Sequence, residues 1–529
     1  MTPILVAAAV AAAAASQPQQ AAPQAVEQIV VVTRAPVVGT LQEGVQAYRQ
    51  EFFTSVRPGT ALDMVQWLPG FTFEDVRDVR GLGGAVGNVL IDGQPPTSKT
   101  DTLSTVLRRI PASQVDRVDI IVGGAPGIDM RGRSVIANVV LKKTTAPRGS
   151  VTVQTMMMDD GRLAPELVAT LSRKTDTRTT EGSLTLARRL VQGNGVGTGP
   201  LVRTDATGAV LFAARSRIAG RFPFATGTAA HEFPMAGGKL RFNGAFTYID
   251  GKATESTTVA GQPSLFATTL TEQTGQGEIG LRYTRPFGRS TLEAQVLERI
   301  NAHAASNDTL RPPLVSDLVV NDTLRETVAR ATWRFKRDDR LTLEGSAEGA
   351  LNALDTRSDL MLAGIPTRLP TGDVDIRERR FELGTLATWK PSADIGLTGA
   401  LRLESSNLTA RRDVTLERDL TYLKPRLLFS WTVDKKTQVR LRVEREVGQI
   451  AFSNFVAAVE VGSGLVRAGN PDLRPRKAWV AEAVLERQFW TGASVVLTAR
   501  RQQIEDVVDL APLPRFGGAL GVTNIGDAV

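Results

Sequence analysis

VRGLGGAVGNVLIDG, residues 79–93, sets five glycines into fifteen positions and ends in an apolar strand signal closed by Asp92-Gly93. A Gly-rich stretch that opens a helix can hold a phosphate, because the N–H groups of the first helical turn converge on the anion. The dinucleotide pattern G-x-G-x-x-G is met here at Gly81 and Gly83, but Val86 stands at its third position and Gly87 comes one residue late. NVLIDG then follows, which is a buried-strand pattern and not a helix. GIDMRGRS, residues 127–134, approaches the P-loop pattern with Arg133 where lysine is required, and it too leads into a strand pattern, VIANVVLKK. Both contexts argue against a nucleotide site, so the glycines read as positions of close backbone packing.

The neighbours of this stretch form a compact unit. In TALDMVQWLPG, Thr60 is placed to cap a helix, Asp63 follows three residues on, Leu62, Val65 and Leu68 share one face, and Pro69-Gly70 ends the run. DTLSTVLRRIP spaces Leu103, Val106, Leu107 and Ile110 at the helical period before Pro111 stops it. VDRVDIIVGG and SVIANVVLKKT supply two further strands. Residues 40–146 are therefore expected to form a small α/β domain of about a hundred residues.

From residue 147 onward the pattern is strand after strand. KLRFNGAFTYID alternates Leu240, Phe242, Gly244, Phe246 and Tyr248 with Arg241, Asn243, Ala245 and Thr247, and QVRLRVERE sets Val439, Leu441 and Val443 against Arg440, Arg442 and Glu444. KRDDR, residues 336–340, reads as a charged hairpin turn. One apolar and one polar face per strand suits a membrane barrel, with lipid outside and water inside, and equally suits a soluble sandwich. Length favours the barrel: about 380 residues of this pattern run without a second helical region, beyond the roughly 200–250 of one all-β soluble domain, and closure removes the edges. The aromatic content of 5% counts against it, since barrels carry aromatic girdles.

Composition narrows the chemistry. There are no cysteines, which excludes disulfides, thiol nucleophiles and Cys-based zinc sites. The only two histidines, His231 and His303, are far apart in sequence, so neither a metal site nor a catalytic triad is expected. The 63 basic and 55 acidic residues give a net charge of +8, but they are interleaved and form no nucleic-acid patch. The apolar run Ile4–Ala15 has the length of a secretory signal core, although no Lys or Arg precedes it. Residues 1–15 read as a signal peptide and 16–39 as a linker rich in Gln, Pro and Ala at its start.

The blocks LDMVQWLPGF, VRGLGGAVGNVLIDGQP, DTLSTVLRRIPASQVDRVDIIVG and GRSVIANVVLKK, in this order and spacing, resemble the plug domain of TonB-dependent outer-membrane receptors. The family's motif positions fall on Leu68, Pro69, Gly70, Arg80, Gly81, Gly83, Asp92, Gly93, Ile110, Pro111 and Arg117. GNPDLRP, residues 469–475, resembles the family's Asn-Pro-x-Leu box in a late strand, with Asn470, Pro471 and Leu473 at its positions. The resemblance implies a transmembrane antiparallel β-barrel over 147–529 with the α/β plug in its lumen, no catalytic residues and no cofactor. It further implies a small-molecule ligand bound on the outer side, and a place in the outer membrane of a Gram-negative cell among lipid and lipopolysaccharide.

The resemblance also implies a periplasmic partner, TonB, which captures an extended box ahead of the plug. Glu27, Gln28, Ile29, Val30, Val31, Val32 and Thr33 lie where that box belongs, and their β-branched run suits strand addition to a partner sheet. The alternative is that they form the first strand of the plug. Arg80 and Asp92 are candidates for contacts between plug and barrel wall, or else only punctuate turns. The family's 22-stranded barrels need more residues than 147–529 provides, and the chain stops at GVTNIGDAV as if in mid-barrel, so a truncated barrel is expected. The implied activity is energised import of a scarce nutrient: a ferric chelate, cobalamin or an oligosaccharide. The competing class is an exported β-rich adhesin with no energised transport.

Overall fold

The computed structural model describes residues 32–33, 45–75, 80–82, 87–94, 98–99, 101–122, 135–142, 146–158, 161–190, 197–259, 266–311, 314–434, 436–460, 465–490 and 493–529. Glu27 to Val31, Gly83, the third phosphate-pattern position Val86 and the P-loop-like run 127–134 lie outside these residues.

The first helix, Ala61–Gln66, begins with a full capping box: the Thr60 hydroxyl accepts from the Asp63 N–H while the Asp63 carboxylate accepts from the Thr60 N–H. It buries Ala61, Leu62, Met64 and Val65, a wider face than the three expected positions. The second helix, Leu103–Arg108, is capped by Thr102 and buries Leu103 and Leu107. Both pack on a four-stranded sheet in the order Val45–Arg49, Val115–Val122, Val135–Leu141, Val89–Ile91, antiparallel except for the last pair. The strand Val45–Arg49 has no counterpart in the sequence-based expectation, because VQAYR mixes polar and apolar residues without a clear period. Asp92 and Gly93 both take positive φ, 49° and 77°, the combination that a tight turn with right-handed twist requires and that Asp and Gly tolerate. Phe52, Phe53, Leu62, Val65, Leu107 and Val118 are part of one apolar core whose members all come from this domain.

The second unit is built on a 19-stranded sheet, with registered antiparallel pairing from Arg148–Met157 through successive hairpins to Ala519–Ala528. The end of the sheet nearest the plug connection carries short turns, such as 236–237, 288–289 and 337–340. The other end carries the longer connections 363–372 and 448–476. Short turns on one side and long loops on the other are the habit of outer-membrane barrels, with the loops outside the cell.

The direction of the apolar faces separates barrel from sandwich. In Asp373–Trp389 the buried positions Glu378, Arg380 and Glu382 alternate with exposed Phe381 (50%) and Leu383 (46%). Phe242, Phe246 and Tyr248 are likewise exposed, as are Leu441 and Val443. A sandwich would bury these side chains between its sheets; here they point out and the charged ones point in. The sparse aromatics also fall in place, since Phe287, Trp333, Trp389 and Trp431 stand exposed beside the short-turn end, forming a girdle there. Low aromatic content therefore coexists with a row of rings at that end of the wall.

Candidate functional site

The candidate site is the seam between plug and barrel wall. Across five consecutive strands, Glu278, Arg299, Glu326, Asn352 and Glu378 stand directly opposite one another. They form a straight polar row facing the lumen. Arg80, Gly81 and Lys99 of the plug dock on this row, and Leu82 docks on Glu348 of the same inner wall. Gly81 N–H donates to Glu326 at 2.7 Å, Leu82 N–H to Glu348 at 3.2 Å, and Lys99 N–H to Glu278 at 3.0 Å. The Lys99 ammonium, 4% exposed, donates to both oxygens of Glu326 at 2.8 Å. Backbone N–H groups aimed at carboxylates are strong contacts that stay exchangeable, unlike interlocked apolar packing.

Arg80 carries the densest set. Its Nε donates to Glu378 at 2.8 Å and its Nη1 to the Ile450 carbonyl at 2.7 Å. Its backbone N–H donates to the Gln449 Oε1 at 2.6 Å, and its carbonyl accepts from Gln449 Nε2 at 2.8 Å. The guanidinium lies 4.3 Å over the Phe452 ring, a cation–π contact. Arg80 thus ties the plug both to the barrel wall and to the long outer connection 448–476. A lysine could supply the charge but not the fork.

Gly81 explains the glycine of the Arg-Gly pair. Its φ is +87°, and a Cβ there would land on the Arg380 guanidinium and the Glu348 carboxylate. Those two side chains, 7% and 3% exposed as residues, are paired to each other, and Arg380 also reaches Glu404 at 3.4 Å. Lys424 extends the network to Glu382 at 2.7 Å and Glu404 at 2.8 Å.

The remaining motif residues divide. Asp92 reaches the wall through Lys174 at 2.6 Å, while its other oxygen accepts from the Leu141 N–H within the plug. Gly93 N–H donates to Asn138 inside the plug. Gly70, at φ +68°, faces the wall: a Cβ there would stand 3.2 Å from the Glu486 carboxylate. Leu68 is buried in the plug core, and Ile110 accepts from the Ala61 N–H. Pro111 bridges to Thr60. Arg117 pairs with Asp116 and Asp119 on its own strand and, among the described residues, has no ion pair with the barrel. Val32 and Thr33 pair antiparallel with Ser494 and Ala493, at the short-turn end of the sheet.

Asn470, Pro471 and Leu473 lie in the connection before the strand Lys477–Trp490 and not in a strand, which corrects the sequence-based placement. Proline has no N–H for a ladder, and the segment instead folds inward: Asn470 Nδ2 donates to the Val522 carbonyl, and Arg418 donates to the carbonyls of Pro471 and Leu473. Leu473, with Phe452 and Phe455, packs on Val374, Ile376 and Leu408 of the inner wall. The box therefore pins the outer connection that meets Arg80.

Sequence reasoning missed the barrel side of the seam altogether, although the glutamates of LTLEGSAEGAL and of residues 373–389 were visible at alternating positions. It also missed Lys99 and Arg109. The latter pairs with Asp101 and donates to Ser183 at 2.8 Å on the wall. Burial pushes the Asp101 carboxyl above the usual range, and Arg109 partly offsets that rise.

No protein-family model and no curated protein matches this chain. Solved structures do. The copper transporter OprC aligns over 93% of this chain and 77% of its own, with 14% identity and a TM-score of 0.51. The siderophore receptor PirA from Pseudomonas aeruginosa aligns over 92% and 80%, at 14% identity and a TM-score of 0.51. A mutant of the ferric enterobactin receptor PfeA from the same organism, in complex with enterobactin, aligns over 92% and 77%, at 13% identity and 0.52. At such identities the likeness is one of fold, and the fold is that of the TonB-dependent outer-membrane receptors, an α/β plug set against the inner wall of an antiparallel β-barrel.

Proposed function

We propose that this chain is an energised outer-membrane importer whose plug is displaced to admit a scarce nutrient. One observation carries this: the plug keeps a complete apolar core of its own, whereas its ties to the wall run through Arg80–Glu378, Lys99–Glu326, Asp92–Lys174 and backbone N–H groups on carboxylates. A body that is apolar inside and polar at its seam can leave as a unit and rehydrate its contacts. An adhesin has no need of a removable plug, which sets the alternative second.

The pull comes from the periplasmic side, where TonB adds a strand to Glu27–Thr33. Supporting this, Val32 and Thr33 pair at the short-turn end, the side from which such a partner arrives. The substrate class is a metal chelate, a ferric siderophore before cobalamin or an oligosaccharide, because the similar folds above are a copper transporter and two siderophore receptors. Val30→Pro removes a ladder donor from the box. It should abolish energised uptake of ferric chelates while leaving binding at the cell surface intact; unchanged uptake would refute the assignment of the box, whereas no uptake by the wild-type chain would refute the transport reading.

A further inference from the structure

Between the seam row and the short turns, the inner wall is of two kinds. On the strands Phe266–Phe287, Ser290–Arg311, Leu314–Lys336 and Leu341–Leu362, the next inward row is Gly280, Leu297, Val328 and Ala350. The last three are 2%, 0% and 3% exposed, a dry surface with no polar side chain. From Asp373–Trp389 onward the inward positions are charged instead. Lys424 holds Glu382 and Glu404, and Arg402 reaches Glu382 at 3.9 Å. Arg442 holds Glu444 at 2.8 Å and Glu482 at 3.0 Å, and Arg440 stands 3.5 Å from Glu486. These pairs form a track that descends toward the short turn after Asp434.

This charged sector is wet, and the plug does not claim its charges. Arg402 keeps 35% of its side chain exposed, and Arg442 and Glu482 keep 22% each. Among the described residues, the ion pairs of Arg402, Lys424, Arg442 and Glu482 are all with other residues of the wall. The plug flanks the sector on both sides, through Arg80 at Glu378 and Gly70 beside Glu486. A solute crosses a lumen quickly where many weak sites follow one another and none is strong enough to trap it. Guanidinium and ammonium groups that hold carboxylates here take the anionic oxygens of a chelate in the same way.

We propose that displacement of the plug opens this sector, and that an anionic metal chelate passes along it by exchanging its oxygens for the glutamates on Arg402, Lys424 and Arg442. The proposal rests on the importer reading above, and the two can fail separately. The chain has no cysteine of its own, so single cysteines report cleanly. Arg402→Cys and Arg442→Cys stand in the track, and Gln295→Cys, at the inward position just beyond Leu297, is the control. Energised cells are treated with a bulky polar methanethiosulfonate, and iron uptake from ferric citrate, a ferric tris-catecholate and a ferric tris-hydroxamate is followed. Relative to the same variant unmodified, the adduct should lower uptake by about tenfold or more in the track and by less than about twofold at Gln295→Cys. Surface binding of the chelate should persist, and dithiothreitol should restore uptake.

In detergent micelles, where no transport occurs, a small charged methanethiosulfonate should modify Arg402→Cys at least about tenfold faster than Val328→Cys. Equal rates overturn the contrast between the wet and dry sectors. Retained heat-modifiable mobility shows that each variant is folded. An equal block at Gln295→Cys overturns the choice of sector. Full uptake by the modified track variants, or their failure to react in energised cells, overturns the track. No uptake of any of the chelates by the wild-type chain overturns the importer reading itself, on which the micelle rates do not depend.

Discussion

Replacing Gly81 by alanine tests whether the Arg-Gly segment is the plug's anchor. Two costs follow from the geometry. The left-handed φ of +87° strains any residue with a Cβ by about 1–2 kcal/mol. The added Cβ also occupies the place of the Arg380 guanidinium, which is held by Glu348 and Glu404 and has little room to withdraw. Breaking such a buried pair costs roughly 3–5 kcal/mol. The sum is at least about 4 kcal/mol, or roughly a thousandfold in the local opening equilibrium at ~1.4 kcal/mol per decade. Gly161→Ala is the control, since its φ of +80° brings the same strain with nothing within 4 Å of the new Cβ.

Hydrogen–deuterium exchange of the full chain in micelles reads the result peptide by peptide. In Gly81→Ala, amides of residues 80–94 should exchange faster by two to three decades. Strand Val115–Val122 should keep its protection, because the plug core does not include the seam. Exchange of 80–94 within threefold of wild type would refute the anchor. Loss of protection throughout the plug core would refute the claim that the seam and the core are independent.

Three further outcomes are expected. Thr60→Ala removes one half of the capping box and should lower plug stability by about 1 kcal/mol, read as a shift in the urea midpoint of the plug transition. Leu383→Arg places a charge on the outward apolar face and should destabilise insertion into lipid vesicles by about 2–4 kcal/mol, whereas a soluble sheet would tolerate it. Asp101 has a folded pKa above its ordinary value, so its protonated form favours folding: the contribution is present below about pH 4 and is lost as pH rises through the folded value. Asp101→Asn should therefore stabilise the plug at pH 7 and change little at pH 3, as measured by urea unfolding at the two pH values.

Local signals in the sequence located the plug well. Thr60 and Asp63, the spacing of Leu103 and Leu107, and Asp92-Gly93 each act within a few residues, and the structure places a cap, a buried helical face and a tight turn there. Period-two alternation likewise marked the strands of 147–529. It could not say which face is inside, because alternation is symmetric with respect to the two faces until something is seen to fill the lumen. Val45–Arg49 escaped because it is held by pairing with Val115–Val122 and has little pattern of its own. Asn470–Leu473 was placed in a strand because motif matching fixes order along the chain and not backbone pairing.

The seam was hidden for a deeper reason. Arg80 lies 298 positions from Glu378, and Gly81 lies 245 positions from Glu326. No window along the chain contains both partners. What makes them meet is register: an unbroken antiparallel ladder brings Glu278, Arg299, Glu326, Asn352 and Glu378 level, so a shift of one residue in a single hairpin would turn the next carboxylate outward toward lipid. The same ladder puts Arg379 outside immediately after Glu378 faces in. The plug segment of residues 80–82 has its meaning only against the inward face of that alternation. Gly81 must be glycine not for its own turn alone but because the wall it touches is already occupied by a charged pair.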